Sequence, residues 1–189
     1  MREARWVNRV SVVGNSGSGK SHLSARLAKT LGVPYVELDA IHHLPDWEPI
    51  DADEFVAQVS AITATDGWVI DGNYRTAVID GPVWERADTV VWLDFPRRTV
   101  MSQVTRRTLK RIVRREQLWN GNRERLRTLW SWSPEQSILR WSWTQHANYA
   151  ERYRAAMESP RFGHLEFVQL RSRSAAEYWI ATLDQANTS

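Results

Sequence analysis

Apolar residues along this chain fall into two rhythms. Short continuous runs at residues 10–13, 35–38, 68–70, 89–93 and 165–170 are dominated by Val, Ile, Leu and aromatic side chains. Runs of that length and composition predict strands, and the continuous ones predict burial on both faces, as in a parallel sheet. Between them the spacing changes to that of a helix. Leu23, Leu27 and Leu31, with Ala25 and Ala28 between, predict a helix over residues 20–31, stopped by Gly32 and Pro34. Phe55, Val56, Val59 and Ile62 predict another over 53–65, and a shorter helix is expected over 76–86. A long basic helix is expected over 98–116 and a last one over 175–183. One more should start near Ser133, where Ser133-Pro134-Glu135-Gln136 supplies a capping Ser, a Pro at the first helical position and a Gln three residues after the cap. Strands alternating with helices predict an α/β fold with a mainly parallel sheet covered on both faces. The chain reads as a single domain whose least regular part is 118–133.

Composition narrows the setting. A length of 189 residues suits one well-buried domain. No apolar run approaches the roughly 18 residues of a membrane span. The first residues, Met1-Arg2-Glu3-Ala4-Arg5-Trp6, are not of signal-peptide type. There is no cysteine, which excludes disulfides and thiolate metal sites and agrees with a reducing compartment. A cytoplasmic protein without a membrane partner is expected. The net charge of +3 is unevenly spread: residues 97–127 hold eleven Lys or Arg against Glu116 and Glu124, a local +9. A basic zone in an otherwise acidic chain fits an anionic ligand, and equally a solvated helix face.

The decisive segment is Gly14, Asn15, Ser16, Gly17, Ser18, Gly19, Lys20, Ser21, which matches G-x-x-x-x-G-K-[ST] at every fixed position. Glycines let the backbone curl so that several N–H groups converge on phosphate oxygens. The helix that begins at Lys20 adds its positive end. Lys20 can reach the β- and γ-phosphates, and the Ser21 hydroxyl can coordinate Mg²⁺. An apolar run before the motif and a periodic segment after it supply the strand–loop–helix setting that the chemistry needs. ATP and Mg²⁺ are the expected cofactors. No Asn-Lys-x-Asp tetrad for reading guanine is present, and the chain is too short for the added modules of most motor ATPases.

Two carboxylates stand at predicted strand ends, where ligands bind in open α/β sheets. Asp71, in Val69-Ile70-Asp71-Gly72-Asn73-Tyr74-Arg75, could hold Mg²⁺ through water, or simply form an Asp-Gly turn. Arg75 could reach a substrate anion. Asp39 could serve as general base or orient the acceptor hydroxyl, or could cap a helix. On the basic helix, Arg106, Arg107, Lys110, Arg111 and Arg114 project to one side, and Val100, Met101, Val104, Leu109, Ile112 and Val113 to the other. The apolar side should pack on the sheet. Arginines on the other side could stabilise charge on a transferring phosphoryl group, or form a nucleic-acid patch.

Together these residues resemble the adenylate-kinase-type superfamily of P-loop kinases. Within it they are most similar to the bacterial group called DNA topology modulation protein or adenylate-kinase-related. The matching stretches are the phosphate loop, Leu38-Asp39-Ala40-Ile41-His42-His43 with Pro45-Asp46-Trp47, residues 68–75, residues 87–94, the basic helix through Arg111, and residues 118–124. The resemblance implies a P-loop NTPase fold, a three-layer αβα sandwich with five parallel strands in the order 2-3-1-4-5. It also implies ATP with Mg²⁺ and a mobile helical lid, here 115–133. It makes Arg75 a contact to the acceptor's phosphate and Arg107 a phosphate contact on the helix after strand 4; on the same helix face Arg111 is a candidate catalytic residue and Arg114 a candidate substrate contact. Two positions depart from the pattern. Gln103 stands where the family carries another arginine, and His22, next to the nucleotide, replaces the usual Thr.

Three further features read as structural. His42-His43 lacks a second ligand cluster, so a structural or substrate-pocket role is expected. His146 falls on a helix face with Tyr149 and Tyr153, as a packed or hydrogen-bonded histidine does. Five of the eleven tryptophans lie in residues 119–143. They suggest a satellite core joining the lid region to the body, or a platform for stacking bases.

Overall fold

A computed structural model describes residues 7–114, 117–122 and 138–187. Five parallel strands form one sheet in the order β2-β3-β1-β4-β5. They are β1 (Arg9–Gly14), β2 (Tyr35–Glu37), β3 (Trp68–Asp71), β4 (Thr89–Leu93) and β5 (Glu166–Leu170). The helices are α1 (Lys20–Leu31), α2 (Leu38–His42), α3 (Ala52–Thr63), α4 (Pro82–Arg86), α5 (Arg97–Arg114), α6 (Ile138–Glu158) and α7 (Arg173–Asn187). This is the P-loop NTPase fold that the alternating pattern and the resemblance led us to expect. Among the described residues no helix is long and apolar enough to cross a membrane.

The strand period of two sorts the core into two layers. Val10, Val12, Val69, Val91 and Leu93 face α1, α5 and α7, packing with Leu23, Leu27, Val100 and Ile180. Val13, Trp68, Ile70, Val90 and Trp92 face the other way, onto Phe55, Val59, Trp84 and Tyr153. One polar side chain in that second layer is satisfied internally, because the Trp84 indole N–H donates to Ser11 Oγ at 3.1 Å. Burial on both faces explains why the runs are continuous rather than alternating.

Several boundaries differ from the expectation for local reasons. Leu38, read as the end of strand 2, instead opens α2 and is fully buried. The expected helix over 76–86 is two pieces, a wide helical turn at Arg75–Ile79 and then α4. Gly81-Pro82 divides them, since proline has no N–H to continue a helix and a Cβ on Gly81 would lie 2.0 Å from the Thr76 carbonyl oxygen. Helix α3 starts one residue early because Asp51 caps it, accepting from the Asp53 and Glu54 N–H groups. On α5, Val100 and Val104 are buried as the projection required, but Leu109 and Val113 are 45% and 81% exposed. The apolar side of α5 therefore packs on the body only over its first half. The capped start near Ser133 and most of the lid segment 115–133 lie outside the described residues.

Candidate active site

The phosphate loop follows β1 directly and is fixed by contacts to three other elements. Gly14 and Gly17 have φ of +147° and +85°, a region that favours glycine. Packing adds a second reason. A Cβ on Gly14 would meet the Leu93 carbonyl oxygen at 2.9 Å, and one on Gly17 would meet Val104 Cβ at 2.7 Å. Side-chain amides then hold the loop from both ends. Asn73 accepts from the Gly14 N–H at 3.2 Å and donates to the Gly14 carbonyl at 2.7 Å, and the Tyr153 hydroxyl donates to Asn73 at 2.9 Å. Asn15 accepts from the Ser16 N–H and donates to the Ser142 carbonyl, while the Ser142 hydroxyl donates to the Ser16 carbonyl. Helix α6 thus braces the loop through Ser142 and Tyr153.

Lys20 lies inside this curl. Its ammonium donates to the carbonyls of Gly14 at 3.0 Å and Asn15 at 3.4 Å. Burial pushes it below its ordinary pKa, Asp71 and Asp39 pull it back up, and Arg107 adds to the lowering. Arg107 is therefore brought to the loop by α5, and it donates to Ser16 Oγ at 3.2 Å. Ser18 Oγ is buried among the loop atoms without a protein partner.

Facing the loop across the strand ends are three carboxylates, placed by register. Val12, Asp71 and Glu37 lie side by side on β1, β3 and β2, and Asp39 follows in the first turn of α2. Each carboxylate accepts a hydrogen bond from an aromatic donor. Tyr35 OH reaches Asp71 at 2.7 Å, Tyr74 OH reaches Asp39 at 2.7 Å, and Trp119 Nε1 reaches Glu37 at 2.8 Å. The other oxygen of Glu37 accepts from Ser21 Oγ at 3.0 Å. Burial pushes Asp71 up to about 6, although Lys20 and the Tyr35 hydroxyl hold it down. Burial and the neighbouring carboxylates raise both tyrosine hydroxyls.

Rings pack beside Asp39, whose carboxylate Tyr74 holds. His42 packs on Tyr74, Phe55 and His43 with centroids at 4.5, 5.3 and 5.0 Å, and His43 packs on Trp47 and Trp119. Burial and His43 lower the His42 pKa. Two short loops meet here. One is closed by the Leu44 N–H on the Glu48 carbonyl, the other by the Leu118 N–H on the Asn122 carbonyl. Asn120 donates to the His43 carbonyl, and Asn122 accepts from the Trp47 N–H and donates to the Leu44 carbonyl. Asp46, Trp47 and Asn120 are all left-handed, with φ of 61°, 63° and 55°. That conformation is costly for a bulky residue such as Trp47 and is typical of binding sites.

The structure gathers Gly14 to Ser21, Lys20, Asp39, Asp71 and Arg107 around one space. Arg75 pairs with Asp80 at 2.8 Å, and Asp80 also binds Arg161. Arg111 is half-buried on α5, Arg114 is exposed, and His22 is exposed on the first turn of α1. His146 bonds the Phe95 carbonyl at 2.9 Å. Sequence reasoning missed Glu37, Asn73, Ser142, Tyr153 and the pairing of Trp119 with Glu37. Glu37 was within reach, since it shares a strand end with Asp39. The others are joined to the site by contacts that leave no local pattern.

Among the described residues, no group of three or more His, Asp or Glu could hold a metal ion alone. The donor set present, the Ser21 hydroxyl on Glu37 with Asp71 next to Glu37 in the register, suits Mg²⁺, which takes one or two protein oxygens and completes its shell with phosphates and water.

No protein-family model matches the chain, and no curated protein matches it. Solved structures do match over nearly its full length. Shikimate kinase from Acinetobacter baumannii, solved with shikimate, is 15% identical with a TM-score of 0.55, and the match covers 96% of this chain and 93% of that one. Shikimate kinase from Bacteroides thetaiotaomicron is 14% identical with a TM-score of 0.53, covering 96% and 99%. The enzyme from Aquifex aeolicus is 12% identical with a TM-score of 0.50, again covering 96% and 99%. At these identities the likeness establishes the fold.

Proposed function

We propose that this chain is an ATP-dependent phosphotransferase of the adenylate-kinase-like P-loop class. It would move the γ-phosphate of ATP to a small acceptor, nucleotide- or nucleoside-like in the pattern of the superfamily it resembles. The observation that carries the reading is the convergence of Lys20 and Arg107, from different elements, on one glycine-rich loop, at the Gly14 carbonyl and the Ser16 hydroxyl. The fold shared with small-molecule kinases supports it.

In this reading the loop N–H groups and Lys20 bind the β- and γ-phosphates. Ser21 and Asp71 would hold Mg²⁺, which supplies charge neutralisation between those phosphates when bound. Arg107 lies where charge grows on the transferring oxygens. Asp39 accepts the proton of the attacking hydroxyl, and Tyr74 fixes its orientation. Arg111 and Arg114 extend the same helix toward the lid segment, and Arg75 would serve an anionic acceptor only by leaving Asp80.

Calorimetry with MgATP tests this directly. The wild type should bind, and Lys20→Ala should lower turnover by about 10²- to 10³-fold, the usual cost of removing one such electrostatic donor. Absence of MgATP binding by the wild type overturns the reading. The exposed Arg106, Lys110 and Arg114 favour a second reading, a nucleic-acid-associated ATPase. It requires salt-dependent retention of DNA or RNA, and no retention at low salt removes it.

A further inference from the structure

We propose that the acceptor is an uncharged polyhydroxylated molecule, a sugar or a nucleoside, seated against the rings of His42, His43, Tyr74 and Trp119 with its reacting hydroxyl on Asp39. This rests on the phosphotransfer reading and fixes its substrate class.

The two walls of the space carry opposite signs. On the loop side Lys20 and Arg107 are both turned to loop atoms, where a polyphosphate would displace them from carbonyl and hydroxyl partners. On the acceptor side stand Asp39 and Glu37, with Asp71, the Mg²⁺ ligand of that reading, beside Glu37 in the register. Each is anchored by a neutral aromatic donor rather than by an arginine. The Tyr74 hydroxyl donates to Asp39, and its ring packs on His42 and Phe55. Arg75, the cation that the Asp-Gly-x-x-Arg pattern would offer to a phosphorylated acceptor, is already bound at Asp80.

An acceptor carrying its own phosphate would place two negative charges among these carboxylates, a like-charge arrangement that specific sites avoid. A polyol meets the same wall favourably. Ionised carboxylates accept hydroxyl protons in charge-assisted hydrogen bonds, and rings cover the apolar C–H face of a sugar or the face of a base. The left-handed Trp47 and the paired turns around it hold this wall in place. In the transfer, the acceptor oxygen forms a bond to the γ-phosphorus as the bond from that phosphorus to the β,γ-bridging oxygen breaks. The bridging oxygen leaves on ADP with the electron pair, and the acceptor proton passes to Asp39.

The test is ATP consumption by the full chain with Mg²⁺ and matched pairs: ribose, glucose, myo-inositol, adenosine and cytidine, each beside its own phosphate monoester. At least one unphosphorylated member should stimulate turnover tenfold or more, its phosphate should not, and Asp39→Asn should remove the stimulation without weakening MgATP binding. The sugars and the nucleosides separate the two sources of the same chemistry. Stimulation by a phosphate monoester, or by no uncharged member, overturns the proposal. Calorimetry run alongside separates the two failures. If MgATP binds but only phosphorylated acceptors respond, the acceptor class is wrong and phosphotransfer stands; if MgATP does not bind, phosphotransfer itself falls.

Discussion

The loop wall and the acceptor wall of the candidate site are built on opposite principles. The loop wall is backbone: glycines and carbonyls around Lys20, held by amide side chains and pressed against β4 and α5 so closely that a single added Cβ would collide. The acceptor wall is side chain: carboxylates and rings on strand ends and on two strained turns. The first kind of wall is common to all substrates with a triphosphate, because backbone geometry reads only the phosphates. The second can be changed one residue at a time, so specificity belongs there. The cost also differs. The loop wall holds its buried cation, Lys20, on the Gly14 and Asn15 carbonyls, whereas the acceptor wall keeps a buried carboxylate at Asp71 whose charge the fold opposes.

That cost is the largest effect a substitution should expose. Burial raises Asp71 to about 6, above the roughly 3.9 of an unfolded chain. The folded state therefore binds the proton more tightly, and the stability this contributes is complete below pH 4 and lost as pH rises through 6. Asp71→Asn carries no charge to bury. Without metal or nucleotide it should match the wild type near pH 4 and exceed it at pH 8 by up to about 3 kcal/mol, from a shift of some two pK units at 1.36 kcal/mol each. Urea unfolding at the two pH values measures this. A variant less stable than the wild type at pH 8 would mean that Lys20 and Tyr35 already compensate the buried charge. Turnover should fall in the same variant, which separates what Asp71 costs from what it does.

The loop wall is broken most cleanly at Asn73. Asn73→Ala leaves the Gly14 N–H without its partner, leaves the Gly14 carbonyl to Lys20 alone and takes the acceptor from Tyr153. Losing buried partners costs about 1–3 kcal/mol, so the melting temperature should drop by several degrees and MgATP should bind about tenfold more weakly. Tyr153→Phe, which removes one hydroxyl and keeps the ring packing, should show roughly half the loss. Equal effects from the two would shift the burden from Asn73 to the packing of Tyr153.

The same contrast explains what could be read from the chain beforehand. The loop is contiguous, and its glycines sit at fixed spacing because phosphate geometry is fixed, so residues 14–21 were legible without any structure. The strands were legible because burial on both faces leaves unbroken apolar runs. The acceptor wall is assembled across the sheet. Trp119 meets Glu37 across 82 positions, and the loop's own brace, Asn73, meets Gly14 across 59, so no period or spacing marks them. Asp39 and Asp71 were singled out only because strand ends are where ligands bind in such sheets. The α5 projection misled for a related reason: it assigns a side to Leu109 and Val113 but cannot say how far along the helix the body extends.

Trp119 offers the smallest and most local test. Its indole N–H holds the Glu37 oxygen that Ser21 does not, and its ring stacks on His43 at 5.9 Å. The turn that carries it is otherwise tied to the 39–48 segment by Asn120 and Asn122. Trp119→Phe keeps a ring against His43 and deletes the hydrogen bond, a loss of about 1 kcal/mol. Amide exchange in residues 118–122 should accelerate about fivefold. MgATP affinity should hardly move, because the Ser21 contact and the whole loop wall remain. Unchanged exchange would show that Asn120 and Asn122 alone dock the turn. A large loss of MgATP affinity would carry more weight, since it would mean that Glu37 transmits the state of the acceptor wall to the loop and that the two walls are not independent.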